Sequence, residues 1–470
     1  MRHKGAYIWN FGGRVIPQII FLLTNIVLAR YLTPAEFGQI GVLAIFISIS
    51  STLTDAGFGG SIIKEDKVTR LDLSTVFIYN LVVSLVLYLI LFFTAPLIEN
   101  YFEVKGLSTV TKVLSLVFVI NAWALIPKTI LIRNLCFKQI AIVSIIDVCV
   151  GSLISIYGAI KGWGVYALIA YQLVYAISDV VCFEIITKYR LSFSFSFKSF
   201  KRLFSFGFYT TLCNIIDSAY TNLMTTLFGK FMSVNEAGYL YQAQKLETSA
   251  TNSLAQTINT VSFPILTKLK SDKETFYNEA DSLFNNFSLL LFPLFWIVVV
   301  YSKPIIGLIY GKEWEEASVY LSFLMIVGIF YVMESLTRNF IKSLGDVKIL
   351  AKYTLIKRVL GVICILGFLQ IKPFYMLIGF VLSTILGYVV NVYLYGKVLD
   401  YSFIKILWSN CKSFLITLIF TLVLFVIHQM DHLLMEIGII TFVVLFYYLV
   451  VLPKFSRINI IKIIVEKIHL

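Results

Sequence analysis

The chain has 470 residues, of which 59% are hydrophobic and only 14% charged, with a mean hydropathy of +0.87. Soluble domains carry about 25% charged residues, so a water-solvated globule is excluded and the chain reads as an integral membrane protein. A net charge of +13 would point to nucleic acid in a soluble chain; here it reports the Lys and Arg of cytoplasmic loops, and no nucleic-acid partner is expected.

Crossing a bilayer as a helix takes an apolar run of about 20 residues. In chain order such runs fall at 8–31, 35–56, 75–98, 107–134, 140–160, 164–187, 203–229, 237–266, 282–302, 316–344, 349–370, 374–396, 411–429 and 433–452. The first follows Arg2, His3 and Lys4 and is too long for a cleavable signal, so it is expected to stay as an anchor. With the N-terminus inside, the inner loops hold Lys64, Lys67 and Arg70, then Lys188, Arg190, Lys198, Lys201 and Arg202, and finally the tail's Lys454, Arg457, Lys462 and Lys467. Outer loops hold Arg30, Lys105, Lys161 and Lys230 among few others. The bias is roughly three to one, as expected for fourteen spans with both termini cytoplasmic. Between the sixth and seventh spans, residues 191–197 alternate Ser and Phe beside basic residues. That alternation fits an interfacial segment with Phe in the headgroups better than a strand. The six cysteines stand singly, as small core residues and not as a disulfide or zinc framework.

One stretch occurs twice, 200 positions apart: ARYLTPAEFG at 29–38 and GKFMSVNEAG at 229–238. Six spans separate the copies, an even number, so the two halves are parallel repeats about an axis along the membrane normal. In each copy the hydroxyl residue (Thr33, Ser233) can cap the next helix, and the glutamate three positions on (Glu36, Glu236) can complete a capping box. Gly38 and Gly238 close the copies. The repeat reads as the hinge turn of each half.

Charged groups at mid-bilayer cost ~2.5–3.5 kcal/mol each, so polar residues within spans face protein or water. Asn10, Arg14, Gln18 and Asn25 share one face of the first helix; Ser48, Thr52 and Asp55 share one of the second; Thr210, Asn214, Asp217 and Thr221 share one of the seventh. In the eighth, Gly238, Gln242, Lys245, Ser249, Asn252, Gln256 and Asn259 run without a break. Single Ser and Thr residues serve packing, whereas continuous polarity containing a Lys points to a shared hydrophilic cavity. Glu334 and Arg338, four apart, read as a helical ion pair; Lys357 and Arg358 read as partly snorkelling. Lys128, Asp147 and Asp179 are either bridges within one half or a proton relay. His428 and His432, with only Asp431 nearby, read as a surface turn and not a metal site; no nucleotide-binding loop is present.

The 29–38 stretch resembles the signature after the first helix of the bacterial oligosaccharide flippases. They form the polysaccharide-transporter branch of the multidrug/oligosaccharidyl-lipid/polysaccharide exporter superfamily. DAGFGGSIIK at 55–64, GWGVYAL at 162–168, GYLYQAQKL at 238–246 and PILTK at 264–268 are similar to that family too. The resemblance implies an all-α polytopic fold: an N-lobe (1–187), a cytoplasmic linker (188–202), a C-lobe (203–397), and a C-terminal helix pair with a basic tail (398–470). It implies alternating access of a polyprenyl-diphosphate-linked oligosaccharide from the inner to the outer leaflet of the bacterial inner membrane, for surface polysaccharide biosynthesis such as lipopolysaccharide O-antigen. Arg14 and Lys245 then match, by helix, the cavity cations that hold the diphosphate, with Gln18, Asn25, Asn214, Gln242, Asn252 and Gln256 lining the cavity. Asp55 or Asp217 would couple transport to protons or sodium; no other cofactor is expected. Partners would be the lipid-linked glycan, membrane lipids, and a polysaccharide polymerase with its chain-length machinery. A cation-coupled multidrug antiporter of the same superfamily is the alternative. A membrane polymerase or ligase would be expected to carry a large catalytic outer loop, for which the chain has no room.

Overall fold

A computed structural model describes residues 2–189, 192–345, 347–428 and 433–455. Of the residues singled out above, Arg190, Leu191, Asp431, His432, Arg457, Lys462 and Lys467 lie outside the described residues, as do the side chains of Arg2, His3, Lys4, Asn10 and Thr210. The structure is 89% helical, with no strand among the described residues. The chain divides into two compact units, Met1–Gln242 with Ile309–Glu313, and Ala243–Leu308 with Trp314–Leu470.

The first unit contains α1 (Arg2–Ala29), α2 (Pro34–Asp55), α3 (Phe58–Lys64), α4 (Arg70–Phe102), α5 (Leu107–Leu114), α6 (Leu116–Arg133), α7 (Phe137–Ile160), α8 (Val165–Thr187), α9 (Phe197–Phe231) and the start of α10 (Val234–Leu269). Local chemistry sets the ends. Thr69 and Asp72 form a reciprocal capping box at the start of α4: the Thr69 N–H donates to Asp72 Oδ2 at 2.9 Å, and the Asp72 N–H to Thr69 Oγ1 at 3.2 Å. Within the unit α7 packs against α1 and α8, α6 against α4 and α8, and α2 against α9. Phe58, Ile62, Val76, Phe77, Ile126 and Leu203 form a buried cluster tying α3, α4, α6 and α9 together. Arg133 reinforces that end of the unit by donating to the carbonyls of Ile62 and Asp66.

The second unit continues α10 from Ala243 and adds α11 (Lys273–Val300), α12 (Ser302–Ile309, which ends at the unit boundary), α13 (Ala317–Leu344), α14 (Val347–Leu369), α15 (Met376–Leu399), α16 (Phe403–His428), α17 (Leu433–Phe446) and α18 (Leu452–Phe455). Here α11 packs against α13 and α16, and α15 against α13 and α14. The C-terminal helices are fastened to α11 by Leu289, Phe420, Leu424 and Tyr447. Two tyrosine hydroxyls complete the seam: Tyr447 donates to the Leu289 carbonyl and Tyr448 to the Leu290 carbonyl, both at 2.9 Å.

Each expected span falls on a helix, or on a helix pair broken at Ser115 or near Tyr447. Among the described residues, ten are long and apolar enough to cross a membrane. The remaining long ones carry the polar residues: α9 and α10 hold the stripes, and α14 holds Lys357 and Arg358. The helix that carries the expected seventh span begins before it, at Phe197, because Ser196 caps it, accepting from the Ser199 N–H at 3.3 Å.

Candidate functional site

The two copies of the repeated stretch meet each other in the first unit. A Cβ added at Gly38 would lie 1.8 Å from the Val234 carbonyl oxygen, and one at Gly238 would lie 1.9 Å from that of Pro34. The contacts are reciprocal at 34/238 and 38/234, so the first turns of α2 and α10 cross backbone to backbone about a local two-fold. Only glycine permits this approach. Gly41 packs against Tyr241 and Thr225, and Gly229 against Val42, which extends the crossing. In the first copy the Glu36 carboxylate accepts from the Thr33 N–H (2.7 Å) and hydroxyl (3.0 Å). In the second, Ser233 Oγ accepts from the Glu236 N–H at 3.1 Å. Gly164 explains a further motif: its φ of +57° is left-handed, and a Cβ there would stand 2.5 Å from Glu36 Oε1. Lys230 donates to the Tyr101 carbonyl at 2.6 Å and pairs with Glu103 at 3.1 Å, so the cation of the second copy clamps the end of α4.

Much of the polarity in α1, α2 and α9 joins helices. Thr24 Oγ1 donates to Ser152 Oγ at 2.7 Å across α1 and α7, and Asn25 is buried with its amide on the Phe21 carbonyl at 2.7 Å. Asn222 donates to Ser48 Oγ at 3.0 Å, and Thr52 bonds Ser218 at 3.3 Å, across α2 and α9. Arg14 and Asn214 are exposed, while Gln18 and Asp217 are half-buried. Asp55 is also half-buried and accepts from the Gly59 N–H at 3.3 Å, in the turn between α2 and α3. Gln242 is fully buried, with both amide atoms lacking a protein partner.

In the second unit the eighth-span stripe opens into a cavity of about 160 Å³. From α10 come Asn252, Gln256 and Asn259; from α13 come Tyr331, Ser335, Arg338, Asn339 and Lys342. Lys245 is not among its lining residues. Hydrogen bonds orient the wall: Asn259 donates to Ser335 Oγ at 3.2 Å, Asn339 to Ser262 Oγ at 2.7 Å, and Tyr331 to Asn252 Oδ1 at 3.4 Å. Arg338 and Lys342 lie one turn apart, and neither forms an ion pair among the described residues. An amide and hydroxyl wall with two cations suits a polar, anionic ligand. Sequence reasoning found Asn252, Gln256 and Asn259 but assigned Arg338 to an intrahelical pair.

That assignment is corrected by the geometry. Glu334 binds Lys357 of α14 at 2.7 Å, and Lys357 also donates to Asn391 Oδ1 of α15 at 2.9 Å. Both charged side chains are buried, at 12% and 8% exposure, so Lys357 does not snorkel. The pair bridges three helices, which no spacing within α13 reveals. Glu247 of α10 is a further buried carboxyl, 7% exposed and missed by stripe reading because it lies off the polar face. No group of three His, Cys, Asp or Glu residues among the described residues forms a metal site.

Residues 27–319 match a family described as polysaccharide biosynthesis protein. The chain belongs to this family. Among its relatives, the lipopolysaccharide biosynthesis protein WzxC of Escherichia coli is 25% identical, covering 82% of this chain and 80% of its own length. The teichuronic acid biosynthesis protein TuaB of Bacillus subtilis is 23% identical, over 69% and 68%. Among solved structures, the lipid II flippase MurJ in an inward closed conformation has a TM-score of 0.76, at 17% identity over 95% of this chain and 99% of that one. A multidrug resistance MATE family transporter, inward-facing, has a TM-score of 0.60, at 15% identity over 84% and 99%. The fold is therefore that of the MurJ and MATE transporters, and the chain is a multi-pass membrane protein.

Proposed function

We propose that the chain is a flippase. It carries a polyprenyl-diphosphate-linked oligosaccharide from the inner to the outer leaflet by alternating access, for cell-surface polysaccharide synthesis. The observation that carries the reading is the cavity of the second unit, whose Asn, Gln, Ser and Tyr groups match sugar hydroxyls and whose Arg338 and Lys342 match anionic oxygens. A sugar and its diphosphate cannot enter hydrocarbon without such partners. An apolar drug cation would meet the wrong lining and the wrong charge. Family membership and the MurJ-like fold support the same reading. Arg14 and Lys245 remain the proposed contacts of the diphosphate, and Asp55 or Asp217 the proposed points of coupling to a proton or sodium gradient.

Deletion of the gene, with mass spectrometry of the lipid-linked oligosaccharides, tests the proposal and names the glycan. A complete repeat unit should accumulate on its lipid in the inner leaflet and disappear when the gene is restored. An unchanged lipid-linked pool in the deletion strain would refute it.

A further inference from the structure

One polar cluster lies away from the cavity, on α6, α7 and α8 of the first unit. Asp147 of α7 is fully buried, and Asp179 of α8 is 6% exposed. Their carboxyl groups lie within hydrogen-bonding reach of each other. Ser178 Oγ donates to Asp147 Oδ1 at 2.5 Å, and Lys128 Nζ of α6 stands 3.9 Å from Asp179 Oδ2. Two oxygens are left over: Asp147 Oδ2 and Asp179 Oδ1 are buried with no donor in the protein.

The charges and donors fail to balance if both acids are ionised. Two carboxylates would face one lysine, and two like charges within hydrogen-bonding reach disfavour joint ionisation. A buried acceptor without a donor adds a further penalty. A single proton repairs both faults. It leaves one negative charge against Lys128 and gives one carboxyl an O–H to donate to the other.

The neighbours offer no substitute. Tyr171, Tyr175 and Cys182 of α8 are the other titratable groups near the pair, and all are neutral in their ordinary state. From α1, which packs on α7 and touches α8 through one ring, the described contacts are Thr24 with Ser152 and the ring of Phe21 against Tyr171. Lys128 is the one cation at the cluster among the described residues. It also argues against sodium, because a hard cation needs a shell of oxygen ligands and would sit beside the ammonium. We propose that Asp147 and Asp179 form a proton-binding site, holding one proton between the two carboxyls while Lys128 balances the remaining charge. Loss of that proton sets α7 against α8, so occupancy is tied to how these two helices pack. The site stands whatever glycan is carried.

The test reads the proton on the protein itself. The purified full chain in neutral-lipid nanodiscs is titrated while infrared spectroscopy follows the carboxylic-acid carbonyl band, for wild type, D147N, D179N, K128Q and D66N. The variants are matched by size-exclusion profile and melting. D147N and D179N should each lose the band of one protonated carboxyl per chain. K128Q should keep that band to higher pH, since the cation no longer favours ionisation, and D66N, at an exposed loop carboxylate, should leave it unchanged. K128Q keeps both acids, so it decides the matter even if an Asp variant folds poorly. The proposal is overturned if wild type shows no carboxylic band that both Asp variants remove, or if K128Q leaves the titration unmoved. It is also overturned if sodium, but not potassium, releases the proton from wild type and fails to act on D147N, because the pair is then a sodium site.

Discussion

Substitution of Gly38 by alanine gives a sharp test of the crossing between the two repeat copies. The new Cβ would stand 1.8 Å from the Val234 carbonyl oxygen, a backbone atom with no rotamer by which to withdraw. The first turns of α2 and α10 must therefore part by more than an ångström. Overpacking of this kind costs about 1–3 kcal/mol. Unfolding carries ~2 cal/mol/K per residue, so roughly 240 residues of the first unit give ~0.5 kcal/mol/K and a fall in melting temperature of roughly 2–6 °C. G238A, 1.9 Å from the Pro34 carbonyl oxygen, should cost about the same. The double variant should cost less than the sum, because once the helices have parted for one methyl the second is partly accommodated. Gly60 of α3 is the control: nothing lies within 4 Å of its added Cβ, and alanine there should be neutral or stabilising by up to about 1 kcal/mol. Thermal unfolding of the purified protein measures all four. Unchanged melting in G38A, or strict additivity in the double variant, would refute the reciprocal crossing.

Three further outcomes follow from other contacts. Breaking the buried Glu334–Lys357 pair by K357M should destabilise by about 3–5 kcal/mol, while E334L/K357M recovers much of that loss, as read by melting; a silent K357M would sink the account. At equal protein level, R338Q/K342Q should cut delivery of the glycan to the outer leaflet about tenfold or more, since charge-assisted hydrogen bonds contribute ~1.5–3 kcal/mol each; full surface glycan in the double variant would remove the cavity from the transport path. The Asp272 carboxylate, at the N-cap of α11, accepts from the Thr275 hydroxyl at 2.5 Å and its N–H at 3.2 Å, which holds its pKa below the usual carboxylate value. Its capping is complete above about pH 4 and is lost as pH falls through the lowered value. Protection from hydrogen exchange in the first turn of α11, relative to the unstructured peptide at the same pH, should therefore fall in acid and, at neutral pH, in D272A; equal protection in D272A would contradict the cap.

The helices were legible because hydrocarbon imposes one rule: about 20 apolar residues in a row. The repeated stretch was legible as well, since Thr33 with Glu36 and Ser233 with Glu236 keep their spacing. What the copies do to each other was not: Gly38 and Gly238 looked like ends of turns, and a contact between residues 200 positions apart leaves no local trace. Stripe reading reached Asn252 and Gln256 but could not separate them from Ser48 and Thr52, whose hydroxyls spend themselves on α9. Helical spacing names a face and not its neighbour. Glu334 illustrates the limit: Arg338 is the partner one turn away in sequence, whereas Lys357 is the partner in space.

The segment before α9 carries a consequence for anyone wishing to cut or tag this protein. By composition it is the obvious place to divide the chain, a loop of Ser and Phe between spans. Its serines are already committed: the Ser194 N–H donates to Ser74 Oγ at 2.9 Å, the Ser196 N–H to Thr75 Oγ1 at 3.0 Å, and Ser74 donates in turn to the Ser192 carbonyl. The phenylalanines are largely exposed, Phe193 at 71% and Phe197 at 70%, with the Phe193 ring resting edge-on against Phe77 of α4. The segment is a strap sewn by its main chain to the second turn of α4, so an insertion of one residue would carry the amides of Ser194 and Ser196 away from the hydroxyls of Ser74 and Thr75. The short turn around Ser271, between α10 and α11, is the better seam.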